Sequence, residues 1–290
     1  MPGNVIHTNA VLVAKVLVLL QEPTIYEQFA NTEFEWELST QWDTVKVQNF
    51  PIVNWNNVTS WTNAQDRAGN TISVTDWELG ISEIKVDMVA NINLKIKDIE
   101  KALSNLNLES GLQMAVVKWN RRLRSHTVRD ALIAGAGLTV GSPSTVATKE
   151  NVLETFIYKA TEALDEDYVE DEGRVLISRT DFLTLVKASD TFDATSIGAQ
   201  MRKSWVVGEI DGYFAVKDNT LPAGVALAFK NKAVHYIKKY LKIRIAGVES
   251  NHDGNWSNLI GEMVHKAKVL GPNAKRVCKI LYSLAPAPVS

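Results

Sequence analysis

Apolar and polar positions divide this chain into segments of different period. An apolar run, AVLVAKVLVLL at 10–20, comes first. It is too short to cross a bilayer and Lys15 interrupts it. The preceding MPGNVIHTN lacks the basic residues of a secretory leader. A short helix is expected, capped by Thr8 or Asn9 and stopped by Pro23. Residues 42–50 and 70–79 alternate as strands do, with the turn signal DRAG at 66–69 between them. Residues 81–97 alternate again. From Asp98 the spacing changes to three and four, through Ile99, Leu103, Leu106, Leu112, Val116, Trp119, Leu123, Val128, Ala131 and Leu132. It predicts one amphipathic helix over 98–134 with Trp119 on the buried stripe. At a rise of ~1.5 Å per residue, about 35 residues make a beam of ~50 Å. Gly135, Gly137 and Gly141 end it, and Pro143 prevents a restart.

The second half predicts an α/β or α+β arrangement, α+β for the chain as a whole. Residues 148–165 form an amphipathic helix with Val152, Phe156, Ala160 and Ala163 on one side. A solvated acidic turn, DEDYVEDEG (165–173), leads to a buried strand RVLIS (174–178) and a short helix DFLTLVKA (181–188). A loop follows at 190–205, then a strand and turn at 212–224 and a strand at 225–231. Two longer strands close the chain at 236–249 and 261–283, the second broken at Gly271-Pro272.

The densest cluster of aromatic residues lies in 34–84. Five of the eight tryptophans sit there: Trp36, Trp42, Trp55, Trp61 and Trp77. The flanks read as strands and the tip is rich in Asn, Thr and Ser. A two-stranded arm buries little of itself. Its rings need another surface, and a neighbouring copy of the chain would supply one.

Composition excludes more than it suggests. A formal net charge of −2 makes no global demand for a polyanion or an anionic membrane. One cysteine, Cys278, cannot form an intrachain disulfide, and its place in an expected strand reads as buried. The histidines at 7, 126, 235, 252 and 265 match no metal-ligating spacing. GAGLTVG (135–141) follows a helix and has the wrong spacing for a dinucleotide loop, so it reads as a helix stop and hinge. The acidic turn has Glu170 and Leu176 where a calcium loop needs Gly and Glu. No serine stands in a nucleophile elbow. The residues point to no catalytic constellation, cofactor or metal, and to no enzyme.

The succession of parts resembles the major capsid proteins of tailed bacteriophages, the Hong Kong 97-like fold. The resemblance is carried by ISEIKVDMVANINLKIKDIEKALSN, by RVLISRTDFLTLVKASDTF, by GEIDGYFAVKDNTLPAG with VALAFKNKAVHYIKK, and loosely by EMVHKAKVLGPNAKRVCKI. It implies an N-terminal arm (1–33) and an extended β-hairpin E-loop (34–84). It also implies a peripheral domain with a long spine helix (85–141 and 236–290) and an inserted axial domain (142–235). Trp42, Trp55, Trp61 and Trp77 would be E-loop contacts between subunits, and Asp190, Asp193, Arg202 and Lys203 axial-loop contacts. Lys118, Arg121, Arg122 and Arg124 read as a solvated or salt-bridged helix face, or as interior contacts to packaged DNA. The implied function is a virion shell of pentamers and hexamers enclosing double-stranded DNA, assembled in the host cytoplasm. Its partners would be copies of itself, with scaffolding, portal and decoration proteins as further candidates, and no membrane. Some family members cross-link a loop Lys to a neighbour's Asn, but residues 47–84 contain no Lys. An encapsulin-like nanocompartment shell is the alternative.

Overall fold

The computed structural model of the chain describes residues 23–34, 44–49, 80–97, 108–167, 169–188, 206–251 and 254–284. After a 3₁₀ turn at Glu27–Phe29 come β1 (Thr44–Asn49), β2 (Gly80–Lys85), β3 (Met88–Lys97) and the long helix α1 (Leu108–Gly135). Next are β4 (Leu138–Ala147) and a π-helical turn Leu153–Tyr158 that runs into α2 (Lys159–Glu166). Then follow β5 (Arg174–Ser178), α3 (Thr180–Lys187), β6 (Val206–Ile210), β7 (Tyr213–Lys217) and β8 (Val225–Lys230). The chain closes with β9 (Val234–Asn251), β10 (Gly254–Val269), the short α4 (Gly271–Ala274) and β11 (Val277–Leu284).

Alternation explains the first two sheets. β1 and β2 pair antiparallel. Their buried Val45, Val47 and Ile84 alternate with the exposed ion pair Lys46–Glu83. That buried face packs with Val86 on Ile237, Val264 and Leu270 of an antiparallel sheet ordered β3-β10-β9. The opposite face of β10 carries Met263, His265 and Ala267, all buried. α1 packs on this face, where Asn120 Nδ2 donates to Met263 Sδ at 3.7 Å.

The remaining strands form one sheet ordered β4-β11-β8-β5-β7-β6, with β4–β11 and β5–β7 parallel. It is covered on both faces, which is why RVLIS reads as a continuous buried run. Leu176, Ala226, Ala228, Ile280 and Tyr282 pack on Phe156, Ala160, Leu164 and Phe182 of the π turn, α2 and α3. Val175, Ile177, Leu227 and Phe229 pack on Val128 and Leu132 of α1 and on Tyr26. α1 therefore lies against both large sheets.

Four sequence expectations change. Trp119 is not on the buried stripe: it is 43% exposed, while Val117, Asn120, Arg124, Val128 and Leu132 are buried. Those five recur at three- and four-residue intervals, which places Trp119 near the opposite side of the helix. Residues 138–147 are a strand, so the expected break at Gly141 and Pro143 falls inside β4. β4 is a sheet edge, where Pro is tolerated. Gly141 has φ +75°, and a Cβ there would collide with the Leu281 carbonyl. β11 joins the six-stranded sheet, so the closing segment does not stay with β9 and β10. On α2, Leu164 is fully buried, while Ala163 only packs against the edge of the core. The acidic turn is largely solvated, as expected, with Asp171 and Glu170 more than 80% exposed, and it is also held from within the chain. Arg174, 1% exposed, pairs with Asp165 and with Asp171 at 2.9 Å, and its guanidinium also donates to the carbonyls of Val169 and Glu170. Lys230 pairs with Glu170 and Lys275 with Asp167. The expected helix start at 98–107 lies outside the described residues.

The exposure of Trp119 sets the expected outcome of its truncation. Trp119→Ala should change the unfolding free energy of the unassembled chain by no more than about 0.5 kcal/mol, as surface substitutions do. Urea unfolding of the two proteins measures this.

Candidate assembly surfaces

The surfaces a shell protein would use depend on a segment that wraps the body. Residues 23–34 form a strap around the outer edge of the β3-β10-β9 sheet. The strap begins on the face that α1 covers. Tyr26 is fully buried, and its hydroxyl donates to Asp218 Oδ2 at 2.6 Å. Burial raises the Tyr26 pKa, and the Asp218 carboxylate raises it further, so the phenol keeps its proton. Asp218 also accepts from Thr220 N and Thr220 Oγ1. The same turn holds Arg129 of α1 through the Thr220 carbonyl and Arg179 through the Leu221 carbonyl.

One residue further on, Glu27 is buried. Its Oε1 lies 3.2 Å from Arg124 Nη1 of α1 and 3.2 Å from Lys238 Nζ of β9, and its Oε2 accepts from Thr24 N at 2.7 Å. The strap then pairs with β9: Asn31 N donates to the Val234 carbonyl and Tyr236 N donates to the Asn31 carbonyl. It ends on the other face, where the Phe34 ring sits 5.7 Å from that of His235 and Lys232 pairs with Glu33.

These contacts reassign one expected site residue. Arg124 was read as a solvated or salt-bridged residue or as a DNA contact; it is fully buried and paired with Glu27 of its own chain. Of its neighbours, Lys118 and Arg122 are exposed on α1 and Arg121 is half-buried. Trp42, Trp55, Trp61, Trp77, Asp190, Asp193, Arg202 and Lys203 lie outside the described residues. Sequence reading missed the Tyr26–Asp218 and Glu27–Arg124 pairs. Their signal was faint: a polar residue at each of positions 120 and 124 on an otherwise apolar helical spacing. Met88, Trp119, Val146, Tyr158 and Leu284 are the large apolar side chains left exposed among the described residues.

Chemistry is sparse. Cys278 is buried in β11, and burial pushes its thiol up to about 12, far from a reactive thiolate. Among the described residues, no group of three or more His, Cys, Asp or Glu is placed to hold a metal, and no helix is long and apolar enough to cross a membrane.

No family model and no curated protein matches the chain. Solved structures do. A chain of Mycobacterium phage Che8 superimposes with a TM-score of 0.62 at 17% identity, covering 89% of this chain and 90% of that one. The capsid of cyanophage P-SCSP1u gives 0.63 at 16% identity, with 91% and 89% covered. The SrpI encapsulin of Synechococcus elongatus PCC 7942 gives 0.54 at 10% identity, with 86% and 88% covered.

Removing the strap's buried phenol hydroxyl should destabilise the fold. Tyr26→Phe leaves Asp218 without one of its buried donors and should cost about 1.5–3 kcal/mol, read as a lower urea midpoint with an unchanged slope. About nine-tenths of the chain matches phage capsid structures, and the resemblance to the major capsid proteins of tailed phages stands at the level of fold.

Proposed function

We propose that this chain is a major capsid protein that assembles into pentamers and hexamers and so builds an icosahedral head around double-stranded DNA. The observation that carries this reading is a likeness to phage capsid structures extending over about nine-tenths of both chains. The solved neighbours are capsid structures, and we assign the chain no reaction. Its partners are copies of itself, joined by heterologous ring-closing contacts. Portal, scaffolding and decoration proteins complete a head assembled in the host cytoplasm.

In this reading residues 34–84 are the E-loop, and Trp42, Trp55, Trp61 and Trp77 pack on an adjacent subunit. The α1 helix is the spine. Its exposed Lys118 and Arg122, with the half-buried Arg121, make loose, sequence-independent contacts to packaged phosphates. Residues 142–235 are the axial domain, completed by β11. Asp190, Asp193, Arg202 and Lys203 then supply both signs of charge around a five- or six-fold axis. The likeness to an encapsulin chain sustains a second reading, a nanocompartment shell.

Negative-stain microscopy of the chain expressed alone should show capsomers or closed shells. Only monomers at high concentration would count against assembly. DNA inside shells from the native source supports the capsid reading, and an enzyme cargo supports the nanocompartment. Deleting residues 52–68 should leave the secondary structure and unfolding midpoint intact but prevent assembly. Reversing the charges of Arg202 and Lys203 together should reduce capsomer yield in size-exclusion chromatography while the monomer stays folded. Normal capsomers from that variant would remove the loop from the axis.

A further inference from the structure

The strap is held at one point by a carboxylate among cations, with a histidine beside it. His265 of β10 is 1% exposed, and its Nδ1 has no hydrogen-bond partner among the described residues. It lies on the face of β10 that packs on α1 and the strap. The groups around it come from each of these elements. The strap offers Glu27, α1 offers Arg124, β9 offers Lys238 and the Tyr236 ring at 6.4 Å, and β10 itself offers Lys266. Lys266 is turned to Asp87, at 2.7 Å on the opposite side. Met88 of β3 is paired across from His265 and brings no charge. Glu27 is therefore the one carboxylate among these neighbours, and it already faces two cations.

We infer that residues 23–34 are an acid-released latch: a proton taken up at His265 adds a third cation to the site of a single carboxylate and frees the strap from the edge of β9. One feature makes the strap the part that yields. Among the described residues, its strand-like pairing is limited to the single bridge at Asn31–His235. Its other anchors are Tyr26–Asp218, whose carboxylate is buried too, the Phe29–Phe229 and Phe34–His235 ring contacts, and the exposed Lys232–Glu33 pair. The six-stranded sheet contains no histidine among its described strands.

The direction follows from burial. Burial first, and the Arg124 charge second, lower the His265 pKa from 6.5 to about 4, with Glu27 opposing. A base whose pKa is depressed in the closed state stabilises closure above its ordinary value and loses that contribution as pH falls from about 6.5 toward 4. If release restores the ordinary value, the released-to-closed ratio rises about thirty-fold between neutral pH and pH 5. His235, on the far face of the sheet, and His126 of α1, within electrostatic reach of Asp218, are also depressed by burial and are competing triggers.

Hydrogen–deuterium exchange of the purified full chain tests this. Protection factors are corrected for the intrinsic pH dependence of exchange and compared at pH 7.5 and pH 5. Peptides covering 23–34 should lose protection about thirty-fold, while those from β5 and β8 keep theirs. His265→Gln, which cannot charge, should keep the strap protected at pH 5, and His235→Gln should behave as the unaltered chain does. Three results overturn the latch. The first is a strap equally protected at both pH values in the unaltered chain, which needs no variant. The second is loss of protection in β5 and β8 together with the strap, which is global unfolding. The third is acid release that persists in His265→Gln or vanishes in His235→Gln.

Discussion

A carboxylate cannot be buried without a partner, and Glu27 is buried to 4% exposure. Much of the architecture can be traced from that constraint. Its partners come from two distant elements, Arg124 in the middle of α1 and Lys238 near the start of β9. Meeting both fixes the rotation of α1 about its axis and its height along the sheet. With α1 so placed, Val128 and Leu132 fall on the six-stranded sheet while Asn120 reaches Met263 on the other. Ion pairs of this kind add little net stability compared with an apolar replacement, but losing one partner leaves an uncompensated charge. They therefore act more as a register pin than as a source of cohesion. The bulk of the cohesion comes from the apolar clusters on either side.

The same logic recurs at Arg174. It is the first residue of a strand buried at every position, and its cation is drawn out toward the acidic turn. Asp165, Glu170 and Asp171 of the turn remain largely in water, so at this site the desolvated charge is that of Arg174 alone among these partners. The difference is physical. At Arg174 one charge is buried against solvated partners, and at Glu27 both partners of the Arg124 pair are buried. A proton arriving near Glu27 is consequently felt far more strongly than one arriving at the turn.

How much was legible in the sequence follows from the range of each signal. Period-two alternation is local, and it gave β1, β2 and β3 their places. The apolar run RVLIS is local too, and its bounds coincide with β5. The rotation of α1 is not local. Its buried face includes Asn120 and Arg124, and an apolar periodicity cannot recognise a buried arginine whose partner lies in the strap. Trp119 was accordingly assigned to the wrong side, and Arg124 with it. β4 was missed because Gly141 and Pro143 are strong local breakers, while the parallel pairing with β11 that overrides them comes from the other end of the chain. Of the candidate contact residues, the exposure of Lys118 and Arg122 was readable and the interior position of Arg124 was not.

A chain that works by assembling must fold first and associate afterwards, and its apolar surface has to be divided between the two steps. The interior here is closed without Trp119: the helix face that packs is complete with Val117, Val128 and Leu132. A tryptophan left 43% exposed on the folded chain leaves much of its apolar surface in water. Covered later, it would contribute at about 25 cal/mol per Å² of apolar area removed from water. Lys118 and Arg122 are exposed on the same helix and place like charges near it. The placement of Trp119 makes physical sense for a subunit whose last share of apolar burial is deferred until a second molecule arrives.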